Sequence, residues 1–262
     1  MTHVFLTEGR EAIRALATRS ILYAFAFDGT LARISSDRGG VKLSPSTHEW
    51  LRVLATRVPC AVVSGRALAD LTPRINDTVP YLIGNHGIES PLTPLPILRW
   101  AEGICAAWKR DNIATRLAEA LKSLDGEVED KRYSLTVHYG AQAEKAGVRL
   151  TILRLLQQLT PAPHLIAGKS SVNVLPPGQG GKGSAALALM HHLQQTGLFF
   201  IGDDETDEDV FELSEGLAMG VRVGRCEGSR ARYFVHHQGE VEDVLRFLVH
   251  WLDRTPESHA CV

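Results

Sequence analysis

Apolar and polar positions follow two periods along this chain, and the switches between them divide it into elements. ILYAFAF over 21–27, PCAVV at the start of 59–66, YLIG at the start of 81–89 and GLFFIG at the start of 197–204 are apolar without interruption. Unbroken runs of that length predict strands covered on both faces, hence a parallel sheet. LAMGVRVG over 217–224 predicts one more strand. Helical spacing occupies the stretches between: 8–19, 44–57 behind Ser44-Pro45, 67–75, 180–195 behind glycines, 207–215 and 240–254. Strand and helix in alternation predict an α/β fold, a Rossmann-like core with helices on both sides of the sheet.

The middle of the chain breaks this pattern. PLTPLPILRW over 91–100 is rich in proline and reads as a connector. Residues from about 100 to 178 carry two long helical patterns and strands that alternate strictly. In KRYSLTVHY over 131–139, Tyr133, Leu135 and Val137 share one face, while Arg132, Ser134, Thr136 and His138 share the other. SSVNVLPPGQGG over 170–181 closes the segment. The expectation is a core built from 1–98 and 179–262, with an α+β module at 99–178 inserted into it.

Composition narrows the class. The 262 residues are 44% apolar and 22% charged, enough to bury one large core or two modest ones. A formal net charge of −2 gives no general attraction to nucleic acid or to an anionic membrane. The four cysteines, Cys60, Cys105, Cys226 and Cys261, form no C-x-x-C pair, and the N-terminus has no signal-like stretch, so a reduced cytoplasmic setting is expected. Oligomeric state is not legible.

The chemistry collects at the predicted strand ends. There stand Asp28 in DGT, Ser64 and Gly65 in VSGR, His86 in GNHGIE, and Asp203 and Asp204 in GDDETDED with Asp207 just after. Lys182 opens a helix behind three glycines. In open parallel sheets ligands bind beyond the carboxyl ends of the strands. Carboxylates gathered there repel one another unless a cation joins them, and an oxygen-rich cluster suits Mg²⁺. A hydroxyl, a lysine and exposed N–H groups suit a phosphate. One or two acids at a helix start are explained by the helix dipole; six in GDDETDED are not.

The order DGT, VSGR, GQGGKG, GDDETDED resembles the haloacid dehalogenase (HAD) superfamily of phosphatases. With GNHGIE at 84–89, VEDKRYSLTVHY at 128–139 and SRARYFV at 229–235, the chain is more narrowly similar to the trehalose-6-phosphate phosphatase family, from about residue 20 to 250. The resemblance implies an HAD-like core with an inserted α+β (C2-type) cap, and Mg²⁺-dependent hydrolysis of a sugar phosphate through an aspartyl-phosphate. It puts the nucleophile at position 26, where this chain has Ala26. It makes Asp28 the general acid and base, with its carbonyl toward the metal. Asp203 and Asp204 become metal ligands, Asp207 lies behind them, and Ser64, Gly65 and Lys182 form the phosphate clamp. His86, Glu129, Lys131 and Asn173 become sugar-reading groups. Three departures bear on the sugar: Asn173 stands for a glutamate, Leu175 for a basic residue and Gly140 for an arginine. Trehalose 6-phosphate is the expected substrate, with a related glycosyl phosphate open, and Ala26 implies an inactive chain. We read Ala26 as an engineered replacement that holds substrate without turnover. A natural pseudophosphatase that binds sugar phosphates as a sensor or regulator is the alternative, and the genomic codon at position 26 separates the two. A phosphotransferase on the same site is favoured by nothing in the sequence.

Overall fold

Strand β2 (Ile21–Ala26) is buried at every position, and so is β9 (Gly197–Gly202), which pairs with it in parallel from Ile21 opposite Gly197 to Phe25 opposite Ile201. This pair is the centre of the molecule. The structure, a computed structural model, describes residues 1–35, 37–122, 126–139, 147–168, 170–213 and 216–254. Around the central pair, β3 (Cys60–Val63) and β4 (Tyr81–Ile83) extend the sheet one way. In the other direction come β10 (Ala218–Val223), β11 (Tyr233–Val235) and the two-residue edge strand β1 (Thr2–His3). The order β1-β11-β10-β9-β2-β3-β4 is parallel throughout.

Both faces of the sheet are covered. On one side α1 (Thr7–Leu16), α2 (Pro45–Ala55), α3 (Leu68–Ile75) and α9 (Val241–Leu252) bury Ile13, Leu51, Leu54, Leu71, Leu245 and Leu248 against Tyr23, Phe25 and Phe199. On the other side α7 (Lys182–His192) and the single turn α8 (Glu208–Phe211) pack Ala186, Leu189, Met190 and Phe211 against Leu22, Ala24 and Phe200. Ser44 caps α2, its hydroxyl accepting the Thr47 N–H at 3.0 Å, as the Ser-Pro start predicts.

A second sheet is antiparallel and lies within the middle segment. It is ordered β5 (Glu127–Asp130), β6 (Leu135–His138), β8 (Ser171–Leu175), β7 (His164–Gly168). Helices α4 (Leu95–Arg110), α5 (Asn112–Lys122) and α6 (Val148–Leu156) back it, with Cys105, Trp108, Leu121, Ile152 and Val172 in their own apolar core.

Two details differ from the sequence reading. The proline-rich stretch 91–100 is a connector only to Pro94; from Leu95 it is already α4, which runs through the expected 98/99 boundary. Proline is compatible with the first turn of a helix, where its missing N–H has no partner to lose, so Pro94 caps α4 and Pro96 lies within its opening turn. Where the sequence reads as two long helical patterns, three helices stand among the described residues, α4, α5 and α6, with β5 and β6 between the last two. Gly140 and Cys261 lie outside the described residues. No helix among the described residues is long and apolar enough to cross a membrane.

Candidate active site

The chain leaves β2 toward β3 and β4 on one side, and β9 toward β10 on the other, so the strand order reverses between β2 and β9. Beyond the carboxyl ends of these strands, and under the antiparallel sheet, lies a cleft of about 760 Å³. Ala26, Asp28, Ser64, Gly65, His86, Lys182, Asp203 and Asp204 line it from the core; Glu129, Lys131, Thr136, His138 and Asn173 line it from the second sheet. Every candidate site residue named from the sequence therefore meets there, except Asp207, which stands behind the wall.

Ala26 is the last residue of β2 and is buried. Its methyl group offers no nucleophile and no metal ligand. Two residues on, Asp28 is held by Arg66 in a fork: Nε donates to Oδ2 at 2.7 Å and Nη2 to Oδ1 at 2.6 Å. Arg66 also donates to Asp70 at 2.6 Å. Burial works against the guanidinium charge, but the Asp28 and Asp70 carboxylates outweigh it and raise the Arg66 pKa.

Gly29 has φ +72°, and a Cβ there would sit 2.1 Å from Asp203 Oδ2. Only glycine lets the Asp203 carboxylate come so close to the turn. The Thr30 hydroxyl donates to Asp203 Oδ1 at 3.3 Å.

Asp207 is fully buried and fully engaged. Its Oδ2 accepts the N–H groups of Asp203 at 2.9 Å and Asp204 at 3.0 Å, and its Oδ1 accepts from Lys182 Nζ at 2.7 Å. It fixes the acidic loop and the lysine together, with both of its oxygens engaged. Burial disfavours the Lys182 ammonium, yet Asp207, with Asp204 and Asp203 nearby, outweighs it and raises its pKa. By contrast, Asp204 Oδ1 is buried with no hydrogen-bond partner. A buried orphan carboxylate oxygen costs free energy unless a cation or water meets it. With Asp203 and the Asp28 carbonyl, this donor set fits a Mg²⁺ that retains several waters.

His86 follows β4 in a left-handed turn: Asn85 has φ +49° and His86 φ +53°. Two consecutive non-glycine residues in this region are uncommon and are held by their surroundings. The Asn85 N–H donates to the Arg66 carbonyl at 2.7 Å, the His86 N–H to the Ser64 carbonyl at 3.0 Å, and the Gly181 N–H to the His86 carbonyl at 2.6 Å. The imidazole is buried against Gly65, and neither ring nitrogen makes a hydrogen bond; Asn173 lies close enough to bias the ring without reaching bonding geometry. Burial, reinforced by Lys131 and Lys182, holds its pKa well below the usual imidazole value. It is a neutral, unpartnered group facing the cleft.

The second sheet is pinned over the first by groups that line the cleft and by Asn85 and Ser134 behind them. Lys131 Nζ donates to the Gly65 carbonyl at 3.0 Å. Asn85 spans the gap, donating to the Lys131 carbonyl at 3.2 Å and accepting from the Ser134 hydroxyl at 2.5 Å. Arg38 pairs with Glu127 and lies 3.9 Å from Glu129. Glu129 accepts from His138 at 2.7 Å; burial pushes its pKa up, but His138 and Lys131 outweigh that and lower it. Asn173 accepts from the Thr136 hydroxyl at 2.8 Å. Leu175 is fully buried beside Ile88, Ala101 and Tyr133, so it packs the junction. Sequence reasoning did not single out Arg66, Asn85, Thr30 or Thr136. Asn85 alone carried a signal, because asparagine tolerates the left-handed turn that the glycines around it imply.

Comparison with known proteins supplies relatives for this arrangement. The family described as Trehalose-phosphatase matches residues 24–238. The trehalose-phosphate phosphatase of Mycobacterium tuberculosis is 31% identical over 228 residues, which is 79% of this chain and 55% of that protein. The chain thus spans about half the length of these curated relatives. The C-terminal domain of the C. albicans trehalose-6-phosphate phosphatase superposes with a TM-score of 0.76 at 20% identity, over 95% of this chain and 98% of that one. A haloacid dehalogenase-like hydrolase from Bacteroides thetaiotaomicron gives 0.55 at 16% identity, over 87% and 99%.

Proposed function

The chain belongs to the trehalose-phosphatase family, within the HAD superfamily, and from that premise we propose that its cleft binds a phosphorylated sugar, trehalose 6-phosphate first, on phosphatase machinery whose nucleophile position is a methyl group. The observation that carries the reading is Ala26: it ends the central strand on the wall shared by Ser64, Lys182 and Asp203, where an attacking carboxylate would stand.

Each group has a task in this reading. Lys182 and the Ser64-Gly65 turn hold the phosphate, the lysine as a fixed positive charge. Asp203, Asp204 and the Asp28 carbonyl would hold Mg²⁺, which supplies charge neutralisation for the phosphate oxygens. Residues 99–178 form the cap, and Glu129, Lys131, His86 and Asn173 receive the sugar hydroxyls. His86 does so as a neutral donor and acceptor, and Asn173 without the charge a glutamate would bring. The cap keeps water out of the closed cleft. With aspartate at position 26, Asp28 would give a proton to the leaving sugar oxygen and then take one from water. With alanine, no aspartyl-phosphate forms, and turnover falls by about 10⁶-fold, the usual result of losing a nucleophile. The Arg66 fork fixes the Asp28 side chain in place at the cleft wall.

The test is phosphate release with Mg²⁺ by this chain and by its Ala26→Asp variant. Substrates are trehalose 6-phosphate, other disaccharide phosphates and an aryl phosphate. The chain itself should be inert yet bind trehalose 6-phosphate, while the variant should release phosphate in an EDTA-sensitive way. If the variant stays silent while the chain binds sugar phosphates, the site serves binding alone; if neither binds nor releases, the sugar-phosphate reading fails.

A further inference from the structure

We propose that His3, His236 and Glu240, none of which lines the phosphate cleft, form a binding site for a zinc-class divalent ion that clips the edge strand β1 to β11 and to the start of α9. Among the described residues, one group brings three imidazole or carboxylate ligand atoms within 4.8 Å of one another, and it is this one. The register explains why. His3 lies opposite Phe234 in the β1–β11 pair. Side chains two apart on a strand share a face, so His236 comes up beside His3. Their rings stack with centroids 4.6 Å apart, and both rest edge-on against Phe234 at 5.2 and 5.3 Å. An aromatic floor of this kind fixes imidazole orientation before any ion arrives. Glu240 closes the short 3-10 turn Gln238–Glu240 that leads into α9. Its Oε2 already lies 3.0 Å from His3 Nε2 and accepts the His236 backbone N–H at 3.0 Å, so the carboxylate is aimed as well as near. An ion would take the place of the proton now shared between His3 and Glu240. In a neutral imidazole that proton moves to Nδ1 as Nε2 takes the ion; in an imidazolium it is released to solvent while Nδ1 keeps its own.

The donor set names the ion. Two imidazole nitrogens and one carboxylate oxygen suit Zn²⁺ and disfavour Mg²⁺ and Ca²⁺, which take oxygen ligands. His236 is exposed, which leaves room for water as a fourth ligand. The site has mechanical sense because β1 is only two residues long and joins β11 through the Thr2 and Val4 N–H groups, at 2.9 Å each. Its ligands come from opposite ends of the numbered sequence, so an ion there closes a loop that contains nearly the whole fold.

The experiment uses the whole chain, stripped with EDTA, desalted and titrated at neutral pH with ZnCl₂ and, separately, MgCl₂, read by thermal unfolding and calorimetry. Zn²⁺ should bind one per chain and raise Tm by several degrees; Mg²⁺ should not reproduce the effect. Losing even an outer hydrogen-bond partner of a metal ligand weakens affinity by roughly 10–100-fold. His3→Gln and His236→Gln should therefore each weaken Zn²⁺ at least about tenfold, and His191→Gln, on a helix across the sheet, should not. An Asp203→Asn/Asp204→Asn variant should keep the response. The proposal is overturned if Zn²⁺ binding survives both histidine substitutions, or disappears only with the two aspartates, which would place the ion in the cleft. Should a histidine variant fail to fold, imidazole ¹⁵N resonances of the unsubstituted chain decide: those of His3 and His236 must move with Zn²⁺ while that of His86 does not, and no movement refutes the site.

Discussion

Removing the Asp207 carboxylate should unfold the molecule more readily than any other single change at the cleft. Asp207→Ala leaves Lys182, whose side chain is 7% exposed, as a buried ammonium without its partner, and strips one buried and one partly buried N–H group of their acceptor. Breaking a buried pair from one side costs about 3–5 kcal/mol, because the remaining charge has no compensation. Against a total stability of roughly 5–15 kcal/mol that is a third or more of what holds the fold. In urea, with a slope of about 2–3 kcal/mol per molar for a chain of this size, the midpoint should fall by roughly 1–2 M. The assay is a double-mutant cycle with Lys182→Met. The double variant has no stranded ion, so it should be more stable than the sum of the two losses by about 1–3 kcal/mol. The deficit should also depend on pH in one direction. Since the Lys182 pKa is raised in the fold, its stabilisation is complete below the ordinary lysine value and is lost as pH rises through the folded one. Strict additivity of the two single losses would refute the coupling.

Three further outcomes follow from the geometry. Gly29→Ala forces a non-glycine residue to φ +72° and drives its Cβ into Asp203, so it should cost about 1–2 kcal/mol from the backbone alone and abolish Mg²⁺-dependent ligand binding; an unchanged Tm with intact binding would contradict it. Burial keeps His86 neutral with a lowered pKa, so the unfolded chain takes up a proton there that the folded chain refuses. Stability is therefore full above the ordinary histidine pKa and should fall as pH drops below it, and His86→Asn should flatten that slope in a Tm-against-pH series. In the Ala26→Asp background, Glu129→Gln should raise KM for trehalose 6-phosphate and leave KM for an aryl phosphate nearly unchanged; equal effects on both would mean that the cap does not read sugar.

The sequence made the central sheet legible because β2, β3 and β9 are buried on both faces and so carry no polar residue to blur them. It hid β1 and β11, which are two and three residues long, too short for any period. It misplaced the start of α4 because prolines that open a helix look the same, in one dimension, as prolines that forbid one. Strand-end chemistry was legible for the same reason as the sheet: Asp28, Ser64, His86 and Asp203 each follow an apolar run, and parallel strands bring their ends together. What those residues are bonded to was not. The fork from Arg66 to Asp28 and the pin from Asn85 to Ser134 join residues 38 and 49 positions apart, and only packing decides such pairs.

The nesting of the second sheet inside the first also bears on how the chain reaches its native state. The innermost pair, β2 with β9, joins residues on opposite sides of the whole antiparallel layer, so the core cannot close until a long intervening stretch has been brought round. The antiparallel layer has its own apolar core and contacts that are close in sequence, such as β5 with β6 and β7 with β8. Contacts of short separation form sooner than distant parallel pairings. Once that layer is ordered its two ends are near each other, and the span that remains for β9 to search is the short one from β4 through the junction residues Ile88, Ala101 and Leu175. The expected outcome is that Ile152→Ala, remote from the phosphate site, slows refolding of the whole chain in stopped-flow fluorescence, and an unchanged refolding rate with a faster unfolding rate would mean that the core closes without the layer above it.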